Sequence, residues 1–345
     1  MQPLPFPQLA LVGVTDTNAL AARACNAASR GRREDLFGGL AHTGRCNTYI
    51  SAHVPGELDQ HLAVVATHYP GLDRADAERV LWGQVMPTVP VVDLAIGDYL
   101  HPRVRPLLRA DPDLPRRLRG DPDDAGTAAL AEFIAPAVII SADSVFTRFG
   151  MASTVATTWL PAAYTLLRMA GFEASLADAA VMLELGTRVL VTAAGAAVRA
   201  ARNYPLPTLG IVAAAGFAAW RAGYLSRERL TSAGREVVQA AQPWLAKAEA
   251  AFGGYQQARA ALTVIEPYGL PTVEQLAARR LARSPRTLPL PRLVSALADD
   301  GYPVAAHEVD DAVRHHPAFG ITEGDLPGIW IGRRIIRLLV ADQCQ

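Results

Sequence analysis

Four short segments within the first 145 residues place acids where an apolar run or a helical pattern begins or ends. LALVGVTDTNAL closes its apolar run on Asp16, and YISAHVPGEL carries Glu57. GDPDDAGTAALAEF carries Asp121, Asp123 and Asp124, and AVIISADSVF closes its apolar run on Asp143. Acids just past strands, or at the start of helices, can converge at one edge of a parallel sheet. Converging carboxylates repel one another unless a cation lies between them, so the pattern implies a hard divalent metal. The chemistry this suits is phosphodiester hydrolysis. That reaction needs a water made nucleophilic, a phosphate held in line, and charge neutralised on the attacking and leaving oxygens. One or two Mg²⁺ or Mn²⁺ ions on carboxylates supply all three. No thiol, triad or glycine-rich phosphate loop is evident, and GLAHTG and AAGAAV lack a Walker lysine.

Each acid also has a plainer reading. Thr-Asp-Thr-Asn at 15–18 is a good helix cap, and Glu57 suits an exposed helix face. Asp121 and Asp123 suit a cap or loop. Asp124 in a first turn answers the helix dipole, and Asp143 suits a turn after a strand.

The elements that would position these acids alternate. Residues 8–14, 89–96 and 137–141 are strand-like apolar runs, and 46–50 is a short extended piece. Helical patterning covers about 18–29, a stretch from about Ala52 that includes Glu57, 73–84, and Asp121–Phe133. Strands alternating with helices predict an α/β domain over about residues 1–150, a parallel sheet with flanking helices.

The rest of the chain has a different texture. Residues 151–167 and 203–220 contain no charged side chain. Between them the charges of 179–202 fall on one narrow helical stripe. A helical region over 151–264 follows, either a soluble bundle or a membrane hairpin turning at Tyr204–Pro207. Its end, 226–263, has the pattern of an amphipathic connecting helix. From 265 to 345, three short helix patterns and a β-ribbon resemble a winged helix, an α+β domain. Its third helix carries Glu308, Asp310 and Asp311, which would repel DNA phosphates, so a protein-contact role is expected. His315, His316, Phe319 and Trp330 are expected to pack the hinge between helix and ribbon.

Basic and acidic residues balance at 33 each, so bulk charge names no partner. Arginine does cluster, with Arg30, Arg32 and Arg33 early, and Arg116, Arg117 and Arg119 just before the third acidic segment. They suit either solvated faces or a phosphate-binding rim. Three scattered cysteines fit a reducing cytoplasm. The N-terminus reads as a first strand, not a signal peptide.

In order, strand context and neighbouring residues, the four segments resemble the motifs of the PIN-domain nucleases, over roughly residues 8–147. Val14–Asn18 is similar to that family's first acid with its polar followers. Ser51 followed by Glu57 resembles the second motif, Asp121–Ala131 the third, and Ser141-Ala142-Asp143 the fourth. Many relatives carry a further Asp two positions on, where this chain has Val145. The resemblance implies an Mg²⁺- or Mn²⁺-dependent endoribonuclease in which Asp16, Asp124 and Asp143 hold the ion and Glu57 completes the site or positions the water. It implies that Asn18 and Ser51 orient the carboxylates, with Asp121 and Asp123 as optional neighbours. Thr17 would touch phosphate or cap its helix, and the arginine clusters would draw in RNA. Some members of the family are toxins with a cognate antitoxin. The alternative is a PIN-fold binding or regulatory module that no longer cleaves, stationed at the cytoplasmic face of a membrane. An antitoxin or other protein, a membrane and a second copy of the chain all stand as partners.

Overall fold

The computed structural model describes residues 11–31, 36–94, 102–115, 118–153, 158–170, 246, 249–250, 253–284, 287–322 and 327–334. The chain divides into two compact units, one of residues 1–163 with 258–345, the other of residues 164–257. In the second unit the described residues, 164–170, 246, 249–250 and 253–257, are helical. Residues 179–220, on which the hairpin expectation falls, lie outside the described residues. Among the described residues no helix is long and apolar enough to cross a membrane.

The first unit is built on a mixed, mostly parallel sheet. β1 (Leu11–Thr15), β2 (Cys46–Ser51), β3 (Val91–Val92) and β4 (Ala137–Ile140) run parallel. β5 (Val264–Ile265) closes the far edge antiparallel to β4, in the order β3-β2-β1-β4-β5. The helices are α1 (Thr17–Ser29), α2 (Leu36–Thr43), α3 (Val54–Ala66), α4 (Arg74–Val80), α5 (Ala125–Phe133) and α6 (Ser144–Arg148). The expected α/β architecture is therefore present. The 89–96 run forms only a two-residue strand, and 73–84 forms α4 followed by a π turn over Leu81–Val85.

Strand and helix each follow from the residues. β1 (LVGVT) and β4 (AVII) are buried at every position, as expected of central parallel strands covered on both faces. α5 (AGTAALAEF) is buried at all nine positions. Its alanines and glycine make it thin enough to lie between the sheet, where it packs on β1, β2 and β4, and a later helix. Burying Glu132 within it requires a counter-charge. Arg103 sits 3.5 Å away, and Arg279 adds a second positive neighbour.

The C-terminal part contributes α7 (Val273–Ala282), β6 (Leu288–Pro289), α8 (Leu290–Asp299), α9 (Ala306–His315), β7 (Phe319–Ile321) and β8 (Gly328–Ile331). β6, β8 and β7 form a small antiparallel sheet in that order. Its core is continuous with that of the large sheet: Val12, Val14, Tyr49, Phe133 and Ile139 join Leu276, Leu293, Val309 and Phe319 in one apolar cluster. Polar contacts reinforce the junction. The Asn47 amide donates to Ala282 O (2.7 Å) and Ser284 O (3.2 Å), the Tyr49 hydroxyl to Ala282 O (3.3 Å), and Arg283 to Pro136 O (3.2 Å). Asn47 and Pro136 stand at the starts of β2 and β4, so this junction occupies the edge opposite the strands' C-terminal ends.

His316 and Phe319 do pack the hinge, with Phe133 stacked on His316 at 5.3 Å and Phe319 beside both. His315 does not; it is exposed on α9 and paired with Asp311 at 3.0 Å. At the other edge, the Ser153 hydroxyl donates to Ala261 O (3.1 Å) and accepts from the Thr263 N–H (3.1 Å). That contact clasps the segment after α6 to the one leading into β5. Replacing Phe133, which is fully buried, by alanine is expected to cost about 3–5 kcal/mol. A urea titration of the full chain measures it, and a loss under about 1 kcal/mol would contradict a shared core.

Candidate functional site

The register of the parallel strands brings the acids to one edge. Thr15 pairs with Ile140, and the next residue along β1, Asp16, donates its N–H to Ile140 O at 3.0 Å. Asp16 is therefore set beside Ser141, the residue that follows β4. Asp143 lies two residues further, Ser51 ends β2, and the loop after β2 leads directly into α3 with Glu57 in its first turn. Asp124 enters from the head of α5.

Hydrogen bonds link these groups in pairs. Asp16 is 4% exposed and uses both carboxylate oxygens: Oδ1 accepts from the Thr17 N–H (2.7 Å), and Oδ2 accepts from the Ser141 hydroxyl (2.7 Å). Ser141 Oγ also accepts from the Asp143 N–H (2.9 Å), so one hydroxyl ties the first acid to the fourth. Asp143 caps α6 through the Val145 N–H (2.8 Å). The buried Thr17 hydroxyl donates to Glu57 Oε2 (2.8 Å), which joins α1 to α3. The Thr17 hydroxyl therefore serves Glu57. Asn18 and Ser51 meet histidines, not carboxylates. Asn18 Oδ1 is 2.8 Å from His61 Nδ1, and Ser51 Oγ is 3.1 Å from His53 Nδ1.

Asp124 is different. It occupies the cap position of α5 with helical backbone angles and makes no side-chain capping bond, so capping does not explain it. Its Oδ2 is buried without a hydrogen-bond partner. Burial first, then the charges of Asp16, Asp143, Asp121 and Glu57, push its carboxyl up to about 8. Burial likewise raises Asp16; Ser141 and the Thr17 N–H pull it back, and Asp143 and Glu57 push it up again. Carboxyls shift one another in this way only as neighbours. The structure thus brings Asp16, Glu57, Asp124 and Asp143 together, with Asp121 on the rim. Asp123 is exposed and donates its N–H to Asp121 Oδ1 (3.2 Å). The cluster is open: among the described residues, no three His, Cys, Asp or Glu side chains stand closely enough to hold a metal ion.

Close packing holds the head of α5. A Cβ at Gly126 would lie 2.7 Å from His53 Nδ1 and 2.8 Å from Ser51 Oγ, so only glycine lets the first turn approach the end of β2 this closely. His53 and His61 are the imidazoles the sequence reading passed over. A signal for His61 existed in its spacing, one turn beyond Glu57 on α3.

The arginines expected at the rim are elsewhere or outside the description. Arg30 caps the C-terminal end of α1, about 20 Å along the helix from Asp16. Arg119 donates to the carbonyls of Pro112 and Leu114 and so binds its own loop. Arg32, Arg33, Arg116 and Arg117 lie outside the described residues. Comparison of the chain with family models, curated proteins and solved structures finds no match.

The shift at Asp124 fixes a pH dependence. In the unfolded chain this carboxyl ionises near 3.8, and in the folded chain near 8. Across that window the folded state holds the extra proton, so stability falls as pH rises and levels off above about 8. Chemical denaturation at pH 5, 6, 7 and 8 should show this fall, and Asp124→Asn should flatten it. Parallel slopes for the two proteins would contradict the crowding.

Proposed function

We propose that the carboxylate edge binds Mg²⁺ or Mn²⁺ and hydrolyses RNA phosphodiester bonds, the activity expected of a PIN-like endoribonuclease. The observation that carries this reading is the meeting of acids from four separate segments around Asp124, whose buried oxygen has no protein partner. Such an arrangement does not stabilise the fold, and a cation between the carboxylates would relieve it. The donor set fits the ion, because carboxylate oxygens are hard and anionic. Asp16, Asp124 and Asp143 would hold the ion, with Glu57 completing the set. The open spacing fits side chains drawn inward on binding.

In this reading the ion would polarise the attacking water and neutralise charge on the phosphate. The chain's own residues do the rest. Ser141 fixes Asp16 and the backbone of Asp143 with one hydroxyl. Thr17 holds Glu57 through Oε2, and the half-buried Glu57 would position the water. Gly126 keeps Asp124 at the edge. The strand and helix order of residues 273–331 supports the winged-helix resemblance. Its packing beneath the sheet supports a scaffolding role in place of DNA reading.

The second reading, a PIN-fold module that binds without cleaving, has its own support. Val145 stands where many relatives carry a further acid, and it is buried in the core.

Two measurements on the full chain separate these. Metal binding must expel the Asp124 proton, so the rise in melting temperature with Mg²⁺ should grow from pH 6 to pH 8 and shrink in Asp124→Asn. RNA cleavage should need the ion, fall to background in Asp143→Asn, and drop about 10–100-fold in Ser141→Ala. Metal stabilisation without cleavage selects the non-cleaving module. Neither effect, or equal cleavage by wild type and Asp143→Asn, removes the metal-site reading.

A further inference from the structure

A cavity of about 630 Å³ lies at the edge of the large sheet opposite the carboxylates, within the first unit. That volume falls in the range of about 300–1,000 Å³ typical of small-molecule sites. Its walls come from the start of β2, from Pro90 before β3, from the end of α7, and from β8 with the two residues after Gly332.

Three properties define what fits. The first is charge. Among the described residues the ionic groups lining the cavity are Arg333 and Arg334, and no acid lines it. Both arginines are exposed. The backbone of Arg333 is locked to Val91 by reciprocal bonds of 2.8 and 2.7 Å, so the pair projects from a fixed stretch of chain. Arg334 is also a charged neighbour of Tyr49, a residue that lines the same cavity. Paired guanidiniums suit a phosphate, whose oxygens match their forked donors.

The second property is a flat apolar wall. Trp330 lines the cavity, half-buried, and its indole rests against its cross-strand partner Gly320, where any side chain would collide with the ring. The ring is thus held in place, as a stacking platform must be. The third is an amide with only its acceptor left. Asn47 spends both amide hydrogens on Ala282 O and Ser284 O, which leaves its carbonyl oxygen to receive a hydrogen bond.

We propose that this cavity binds a nucleotide, with its phosphate on Arg333 and Arg334, its base against Trp330, and a base N–H donated to Asn47. A free mononucleotide and the 5′-phosphorylated end of an RNA present the same chemistry. The assignment stands independently of the nuclease reading, because no carboxylate of that cluster lines the cavity.

Titration calorimetry on the full chain in EDTA tests it without engaging the carboxylates. The probes are AMP, GMP, CMP, UMP, inorganic phosphate and the 5′-phosphorylated dinucleotide pApA. At least one mononucleotide should bind saturably at one site, about tenfold or more tighter than phosphate. Arg334→Gln, an exposed change, should weaken it about tenfold or more, and Trp330→Leu should weaken it again. Should Trp330→Leu fail to fold, Arg334→Gln carries the test. Binding of pApA as tightly as AMP assigns the site to RNA ends, and exclusion of pApA assigns it to free nucleotide. The proposal is overturned by no saturable binding at millimolar nucleotide, by equal binding of phosphate, or by unchanged affinity in Arg334→Gln.

Discussion

Like charge crowded at the C-terminal edge of a parallel sheet is the constraint around which this unit is arranged. A buried carboxylate oxygen without a partner costs on the order of 1–3 kcal/mol or more, and Asp124 adds repulsion from four other acids. The surrounding structure offsets this without relieving it. Ser141 and the Thr17 N–H satisfy Asp16, Val145 satisfies Asp143, and Thr17 satisfies Glu57, yet nothing in the described protein reaches Asp124 Oδ2. The strain is concentrated on one group, whose Oδ2 is buried at the head of α5.

α5 joins that edge to the rest of the unit. Its first turn presses against Ser51 and His53, its middle is encased by the sheet, and its last turn is gripped by Phe319, His316 and the Glu132 charge cluster. A helix of alanines has little side chain with which to hold itself, so its position is set by what clamps its ends. The C-terminal helices and small sheet are thus part of the scaffold that aims Asp124.

The sequence made some of this legible for definite reasons. Asp16 and Asp143 were readable because a buried parallel strand is an unbroken apolar run, and the residue after such a run must leave the sheet at its C-terminal edge. Asp124 was readable from its place before an alanine-rich helix, but not its lack of a cap bond, which goes with its helical backbone angles. β5 was not legible: two residues make no pattern, and their partner strand lies more than 120 residues earlier. Nor was the continuous core between the large sheet and residues 273–331, because one-dimensional periodicity reports which face is apolar and never what covers it. Arg119 shows the same limit. An arginine in a charge run looks alike whether its guanidinium faces solvent or, as with Arg119, folds back onto carbonyls of its own loop.

The clasp at Ser153 has a consequence for how this chain can change. The path leaves the sheet after β4 and returns to pair with that same strand, with both ends held by one hydroxyl. Closing a loop becomes less favourable only logarithmically with length, by about 0.6 kcal/mol for each doubling. A detour of a hundred residues therefore burdens the sheet scarcely more than one of fifty. The seam is a natural docking port for inserted sequence, where a lineage can lengthen, trim or exchange the intervening segment while the acidic edge keeps its geometry.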